Sequence, residues 1–185
     1  MNVKKDFFKD SKIKFPAYEP WISNDDKQIV NKALSQSMLT LGPQLEKFEK
    51  DFCKYSKSKY AVAVSNCTAA LHLSLMALGI KKDDEIIIPD LTFVADANAV
   101  LACNAKPVIT DINQNNFFLS ISNLKKNITK KTKAIIPVHI YGQVCNIEEI
   151  LDVAKDNNLK VIEDCAHAVG TFHKSKHVGT LGSTG

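Results

Sequence analysis

The sequence predicts an α/β fold in three layers, with a mostly parallel sheet covered by helices on both faces. Two observations lead to this prediction. Short continuous runs rich in Val and Ile recur along the chain, and each is followed by a stretch with helical spacing. Strands buried on both faces have this uninterrupted apolar character. The predicted strands are 60–64, 85–89, 106–110, 132–140 and 160–164.

Helices are predicted between and before these strands. Ser23 or Asn24 is a suitable N-cap for the first helix, whose apolar residues recur at helical spacing and form a candidate buried stripe. The stripe consists of Ile29, Val30, Ala33 and Leu34. The predicted helices are 25–35, 44–55, 69–78, 92–103, 121–127 and 147–157.

Composition restricts the class of protein. The 185 residues are 45% apolar and carry a net charge of +4, which fits a soluble globular chain without a nucleic-acid motif. The five cysteines are odd in number and form no C-x-x-C pair, which argues against a disulfide framework or zinc site and favours the reducing cytoplasm. Neither a signal peptide nor a membrane-spanning run is apparent. We expect a polar leader over 1–14 and one domain over 15–185.

The segment 160–170, KVIEDCAHAVG, holds the strongest candidate site. A buried strand there ends in Glu163 and Asp164, and His167 follows among small residues. Ligands of open parallel sheets bind at the carboxyl ends of the strands. Because an unpaired buried carboxylate is costly, we expect a cationic group to meet Asp164.

Two further segments are predicted at the same edge of the sheet. The turn Ser65-Asn66-Cys67-Thr68 precedes a helix, so it is either an anion site or simply a helix cap. Cys67 lacks the flanking glycines of a nucleophile elbow and is interpreted as a packed thiol. Phe93 follows the second strand and is either a stacking ring or a core residue.

A second histidine and a tyrosine end the fourth predicted strand. His139 and Tyr141 are candidates to line a pocket, although a hydrogen-bonded core imidazole is the favoured interpretation of His139. A phosphate site, a ring and an acid together suit a flat, phosphorylated, nitrogen-containing aromatic molecule. Pyridoxal phosphate meets that description, because its chemistry needs a protonated ring nitrogen held by an acid. NAD fits less well, since no G-x-G-x-x-G follows the first strand.

The ordered motifs resemble those of the DegT/DnrJ/EryC1/StrS sugar aminotransferases. They are LGPQLEKFEKDF (41–52), YAVAVSNCTAALHLSL (60–75), IIIPDLTFVADANAVL (86–101), KPVITDI (106–112), ITKKTKAIIPVHIYGQ (128–143) and KVIEDCAHAVGTFHKSKHVGTLG (160–182). The resemblance implies the large domain of a fold-type I pyridoxal 5′-phosphate enzyme, usually a homodimer. Such enzymes move an amino group, commonly from glutamate, to a keto carbon of a nucleotide-linked deoxysugar.

The resemblance also implies roles for individual residues. Asp164 matches the acid that pairs with the pyridine nitrogen, and Phe93 matches the aromatic residue that stacks on the ring. His167 matches a position close to the phenolic oxygen of the cofactor. The phosphate-binding turn corresponds to Asn66, Cys67 and Thr68, with Cys67 standing where the family usually has glycine.

One feature of the family is not matched within the sequence. The Schiff-base lysine follows the block that ends at Gly185, and Lys174 and Lys176 match a surface hairpin instead. We therefore expect the N-terminal part of the large domain, incomplete at its C-terminus, without the last strands or the small C-terminal domain. By the same argument we expect no transaminase activity from this chain alone. The alternatives are a keto-sugar 3-dehydratase of the same superfamily and a non-catalytic fragment.

Overall fold

A computed structural model of the protein describes residues 20–185. The predicted leader, residues 1–14, lies outside these residues, as does most of the extended segment expected after it. The chain divides into a first compact unit that ends at Gln44 and a second unit that runs from Leu45 to Gly185.

The first unit contains helix α1, Asn24–Leu34, which begins with a capping box. The hydroxyl oxygen of Ser23 accepts a hydrogen bond from the backbone N–H of Asp26 at 3.1 Å. In return the Asp26 carboxylate accepts one from the backbone N–H of Ser23 at 2.7 Å, and this bond lowers the pKa of Asp26. The two bonds satisfy donors that the first helical turn leaves unpaired, as predicted for Ser23.

The predicted buried stripe of α1 is wrong. The helix has no buried residue, and Ile29 is 59% exposed, with Val30 and Leu34 similarly open to solvent. An amphipathic helix buries its apolar face only where another element covers it. Within the described part of the first unit, no element does so.

A parallel four-stranded sheet forms the centre of the second unit. Its strand order is β2-β1-β3-β4, and every neighbouring pair is parallel. The strands are β1 (Glu85–Pro89), β2 (Lys106–Thr110), β3 (Thr132–Ile135) and β4 (Lys160–Val161). The remaining helices are α2 (Pro43–Ser56), α3 (Cys67–Ala77), α4 (Ala95–Ala102), α5 (Ile121–Asn127) and α6 (Ile147–Asp156).

Helices cover both faces of this sheet. On one face Ile86 and Ile88 of β1 pack with residues of α3 and α4, such as Leu75. On the other face Ile87 packs with residues of α5 and α6, such as Leu124. Because successive side chains of a strand point to opposite faces, both of which are covered, β1 is apolar from Ile86 onward. The predicted three-layer α/β fold is confirmed.

The predicted strand at 60–64 is wrong. This segment has no strand structure, and Val62 is 77% exposed. A hydrogen bond ties the segment to α2: the backbone N–H of Ala63 donates to the Glu49 carboxylate at 2.9 Å. A strand needs a partner for its backbone groups, and no strand of the described residues lies beside this segment.

The two strands that lead to the candidate site are shorter than predicted. Beyond β3 and β4 the pairing continues through single bridges, Val138 with Asp164 and Ile162 with Thr184. A 3-10 turn over Ile140–Gly142 then ends the first of these extensions. After β4 the chain forms an antiparallel hairpin, β5 (Phe172–His173) and β6 (Lys176–His177).

Candidate functional site

Asp164 lies at the carboxyl edge of the sheet and is only 5% exposed. Its backbone is fixed to the β3 extension, because its N–H donates to the carbonyl of Pro137 at 2.9 Å and its carbonyl accepts from the N–H of His139 at 3.0 Å. Its oxygen Oδ1 accepts a hydrogen bond from the backbone N–H of Ala166 at 3.0 Å. The carboxylate is therefore held in one orientation at the end of a buried strand.

The turn at 65–68 reaches this carboxylate. The thiol of Cys67 donates to Oδ1 of Asp164 at a sulfur–oxygen distance of 3.6 Å. Cys67 is the first residue of α3, and the side chain of Asn66 caps the helix by accepting from the N–H of Ala69 at 2.9 Å. The sequence motifs around residues 67 and 164 are thus adjacent in the fold.

The first turn of α3 also presents free donors. No partner is recorded within residues 20–185 for the backbone N–H groups of Cys67 and Thr68. Together with the positive end of the helix dipole, such groups bind anions. The helix cap at Asn66 and an anion site at 67–68 are therefore compatible, since they use different N–H groups.

Cys67 differs from the packed thiol that its sequence predicts. The residue is exposed, although its sulfur lies against Asp164. Desolvation, the negative charge of Asp164 and the hydrogen bond to it raise the pKa of the Cys67 thiol to about 12. The sulfur is protonated at neutral pH, which makes it a hydrogen-bond donor and a poor nucleophile.

Phe93 lies between β1 and α4 at the same edge of the sheet and is 71% exposed. It is not a core residue, so that alternative is wrong. Its backbone carbonyl accepts from the N–H of Asp96 at 3.3 Å.

His167 is exposed and stacks on Tyr141, with ring centroids 5.3 Å apart and planes 15° from parallel. Tyr141 itself has a φ of 52°, in the left-handed region that non-glycine residues rarely adopt. The turn that follows β3 and the loop that follows β4 therefore meet through these two rings. The stack places Tyr141, a candidate to line a pocket, beside His167, which is a predicted site residue.

His139 and Glu163 form a buried pair beneath these loops. Because Nδ1 of His139 accepts the N–H of Cys145 at 3.2 Å, its Nε2 carries the proton and donates to Glu163 at 3.0 Å. Both side chains are fully buried. This arrangement confirms the interpretation of His139 as a hydrogen-bonded core imidazole.

The Glu163 carboxylate accepts three further hydrogen bonds, from backbone N–H groups of the loop after β6. One oxygen accepts from Leu181 and Gly182 at 2.7 Å each, and the other accepts from Gly179 at 3.0 Å. Burial acts to raise the pKa of Glu163, but these bonds and the one from His139 together lower it. Cys165 lies within the same cluster of potential metal ligands, yet both Glu163 oxygens are already occupied by donors. Glu163 is a structural acceptor.

Asp96 is a buried acid near this edge of the sheet that the sequence analysis did not single out. It lies in the first turn of α4, is completely buried, and accepts a hydrogen bond from the Thr92 hydroxyl at 2.6 Å on one oxygen. The other oxygen, Oδ1, has no hydrogen-bond partner. Desolvation raises the pKa of Asp96 to about 7, against the opposing effect of Thr92, and the negative charge of Asp164 adds to the rise. The sequence signal was an acid within the apolar and small residues of 94–102.

The donor set of this edge fits a phosphorylated, protonated pyridine. Free N–H groups at the start of α3 suit a phosphate, and the oriented carboxylate of Asp164 suits a ring N–H. The unpartnered oxygen of Asp96 indicates that a further donor or a cation belongs nearby.

Comparison with known proteins shows the family of the chain. Residues 20–185 match the model of the DegT/DnrJ/EryC1/StrS aminotransferase family. The chain belongs to this family. It is 44% identical over 168 residues to the GDP-perosamine synthase of Escherichia coli O157:H7, covering 90% of this chain and 46% of that protein.

Solved structures of pyridoxal-phosphate enzymes are also similar to the chain. The chain is similar to NtdA of Bacillus subtilis with bound PMP, with a TM-score of 0.78 and 33% identity over 97% of this chain and 43% of that one. It is also similar to a GDP-4-keto-6-deoxymannose-3-dehydratase with a trapped PLP-glutamate geminal diamine, with a TM-score of 0.84 and 28% identity. That match covers 91% of this chain and 45% of the dehydratase. The chain thus spans about half the length of these relatives.

These matches confirm three predictions: the family, the fold-type I architecture and pyridoxal 5′-phosphate as the cofactor of the family. Within residues 20–185, no helix combines the length and the hydropathy needed to cross a bilayer.

Proposed function

We propose that residues 15–185 form the N-terminal part of the cofactor-binding domain of a pyridoxal-phosphate enzyme. The enzyme transfers an amino group, with glutamate as donor, to a keto carbon of a nucleotide-linked deoxysugar. The observation that carries the proposal is the contact between Cys67 and Asp164, which places the start of α3 beside the oriented acid. Family membership and the 44% identity to a GDP-perosamine synthase support the sugar nucleotide as substrate class.

Each part of the site has one task in this proposal. The backbone N–H groups of Cys67 and Thr68, beside the Asn66 cap, hold the phosphate. Asp164 accepts the ring N–H and keeps the ring nitrogen protonated, Phe93 stacks on the ring, and His167 donates to the ring oxygen. When bound, pyridoxal phosphate supplies an electron sink for the carbon that exchanges its amino group.

Two donors hold the carboxylate of Asp164 from the protein side. The N–H of Ala166 and the thiol of Cys67 both donate to Oδ1, and donors to a carboxylate stabilise its ionised form. The second oxygen, Oδ2, makes no hydrogen bond with any described residue, so it is available to a ligand. Tyr141, stacked on His167, restricts the imidazole to one plane.

Binding of pyridoxal phosphate by purified chain tests the cofactor part of the proposal. We expect saturable binding, followed by absorbance, with Asp164→Asn weakening it at least about tenfold, because one pKa unit of lost pairing corresponds to a factor of ten. The matched control is Asp156→Asn, on the exposed side of α6, which should bind as the wild type does. Equal affinity of the Asp164→Asn and wild-type chains would overturn the assigned role of Asp164.

A second candidate is 3-dehydration of a keto-sugar nucleotide, favoured by the match to the GDP-4-keto-6-deoxymannose-3-dehydratase. The two reactions differ in their products, since one adds nitrogen to the sugar and the other removes water. Mass spectrometry of the product made from a 4-keto sugar nucleotide and glutamate by the whole enzyme separates them.

The assembly and location are part of the same proposal. We infer a homodimer, as is usual in the family, and light scattering of the whole enzyme measures it. A cytoplasmic location is supported by five cysteines that are all free, as expected in a reducing compartment.

A further inference from the structure

The proposed function gives no role to Asp96, although the surroundings of this acid are unusual. Among the carboxylates of residues 20–185, only that of Asp96 has a buried oxygen without a hydrogen bond. Buried polar groups almost always have a partner, so each exception calls for an explanation. The Thr92 hydroxyl satisfies only the other oxygen, at 2.6 Å.

The surroundings of Asp96 connect it to the cofactor site. The charges of Asp96 and Asp164 both act on the Cys67 thiol, and the charge of Asp164 acts on Asp96. Asp96 lies in the first turn of α4, which follows the carboxyl end of β1 and packs against α3, the helix that begins at Cys67. Asp164 follows β4 at the same edge of the sheet. The strand β1 contributes apolar side chains there, among them Ile86 and Ile88.

Among residues 20–185, no cationic side chain acts to lower the pKa of Asp96. The ion pair of Lys106 with Glu85, at 3.3 Å, lies at the first residues of β2 and β1, which is the opposite edge of the sheet. No cation is recorded beside Asp96 in the described residues. The described part of this edge therefore contains two acids and no cationic side chain to pair with Asp96.

We propose that Asp96 is a second acid of the cofactor site, a positioning residue that acts through Asp164 to keep the ring nitrogen of a bound pyridine protonated. This inference rests on the proposed function. A nearby negative charge favours the cationic form of the ring, and in a water-poor environment the effect extends past the directly bonded carboxylate. By reciprocity, a bound pyridinium favours the ionised form of Asp96.

The test uses pyridoxine 5′-phosphate, which has the ring and phosphate of the cofactor but no aldehyde to react with lysines. The ultraviolet absorbance of its hydroxypyridine ring reports ring protonation, and a pH titration of the bound ligand gives the ring pKa. Wild type, Asp96→Asn and the control Asp156→Asn are compared. We expect Asp96→Asn to lower the bound-ring pKa by on the order of one unit, a tenfold change in the protonation equilibrium, with the control unchanged.

The outcomes separate this inference from the proposed function. If the wild-type chain binds the ligand and the ring pKa is the same in Asp96→Asn, the role of Asp96 is overturned while the cofactor site stands. If the wild-type chain does not bind the ligand, both are overturned. A merely structural role for Asp96 would change affinity without changing the ring pKa.

A second measurement needs no variant at residue 96. The carboxyl carbon of Asp96, followed by 13C NMR in the wild-type chain, should titrate at lower pH when pyridoxine 5′-phosphate is bound. Pyridoxine 5′-phosphate binding without such a downward shift contradicts the inference. The Thr92→Val variant should shift the titration in the opposite direction. Loss of the Thr92 hydroxyl removes a hydrogen bond to Asp96, so Asp96 should titrate at higher pH.

Discussion

The thiol of Cys67 donates a hydrogen bond to Oδ1 of Asp164 at 3.6 Å, across 97 positions of the sequence. This contact joins the start of α3 to the segment that follows β4. In the family resemblance the position of Cys67 is usually glycine, so the thiol donor is a property of this chain. Four consequences for this site and its support can be measured.

The first prediction concerns the reactivity of Cys67. Because desolvation and the charge of Asp164 raise its thiol pKa to about 12, alkylation by iodoacetamide should stay slow from pH 7 to pH 9. Glutathione, whose thiol is not buried beside an acid, serves as the control and should react faster across that range. Peptide mass mapping follows the residue, and labelling of Cys67 at the rate of glutathione would contradict the prediction.

The second prediction concerns Glu163. The Glu163→Gln variant should lower the free energy of unfolding by roughly 2–4 kcal/mol, because an amide has only one acceptor oxygen for the four donors that meet the carboxylate. Urea denaturation measures the change. Glu149→Gln, an exposed substitution on α6, is the control and should stay within about 0.5 kcal/mol of wild type.

The third prediction concerns pH. The folded-state pKa of Asp96 is raised, so its favourable contribution to stability is fully present below its unfolded value near 4. That contribution is lost as the pH rises toward about 7, since the unfolded chain ionises first. Wild type should therefore lose stability relative to Asp96→Asn between pH 4 and pH 7, by on the order of a few kcal/mol. A difference between the two chains that does not vary with pH would disprove the raised pKa.

The pH dependence of stability that Glu163 contributes has the opposite sign and appears in acid. Its pKa is lowered on folding, so the stability it contributes is present above its unfolded value and is lost as the pH falls through the folded value. The pH dependence of Glu163→Gln should therefore be flatter than that of wild type below about pH 4.5. The two acids can be separated because they act in different pH windows.

The fourth prediction concerns α3, the helix that carries the proposed anion site. Leu75 of α3 is fully buried, so Leu75→Ala should cost about 2–5 kcal/mol of unfolding free energy. Leu73 lies on the same helix and is half exposed, so Leu73→Ala should cost less than about 1 kcal/mol. Thermal denaturation of both variants compares them, and equal losses would show that α3 does not pack as the structure places it.

Two strands of the sheet could be predicted from runs of apolar residues in the sequence. The runs at 85–89 and 106–110 match β1 and β2 residue for residue. β1 is buried along its whole length, and a strand buried on both faces must be apolar at nearly every position. The segment 60–64 is also an apolar run but forms no strand. Its backbone has no neighbour to pair with in the described residues, and pairing is a property of two segments.

The site was readable in part for a similar reason. Asp164 could be predicted as a site residue because an acid at the end of a buried strand is expected to be buried and to need a partner. Asp96 was missed because an acid in the first turn of a helix ordinarily lies in water, where it complements the helix dipole. Its complete burial results from the packing of α4 against α3 and the sheet.

The sequence by itself thus predicted the apolar strands β1 and β2, a helix cap at Ser23 or Asn24 and the acid after β4, since each depends on neighbours a few residues away. Three-dimensional packing established which groups share the site. It brought Cys67 to Asp164, stacked Tyr141 on His167 and enclosed Asp96 without a partner for one oxygen. Desolvation and long-range contacts, which shift pKa values and orient donors, arise only when segments distant in sequence exclude water together.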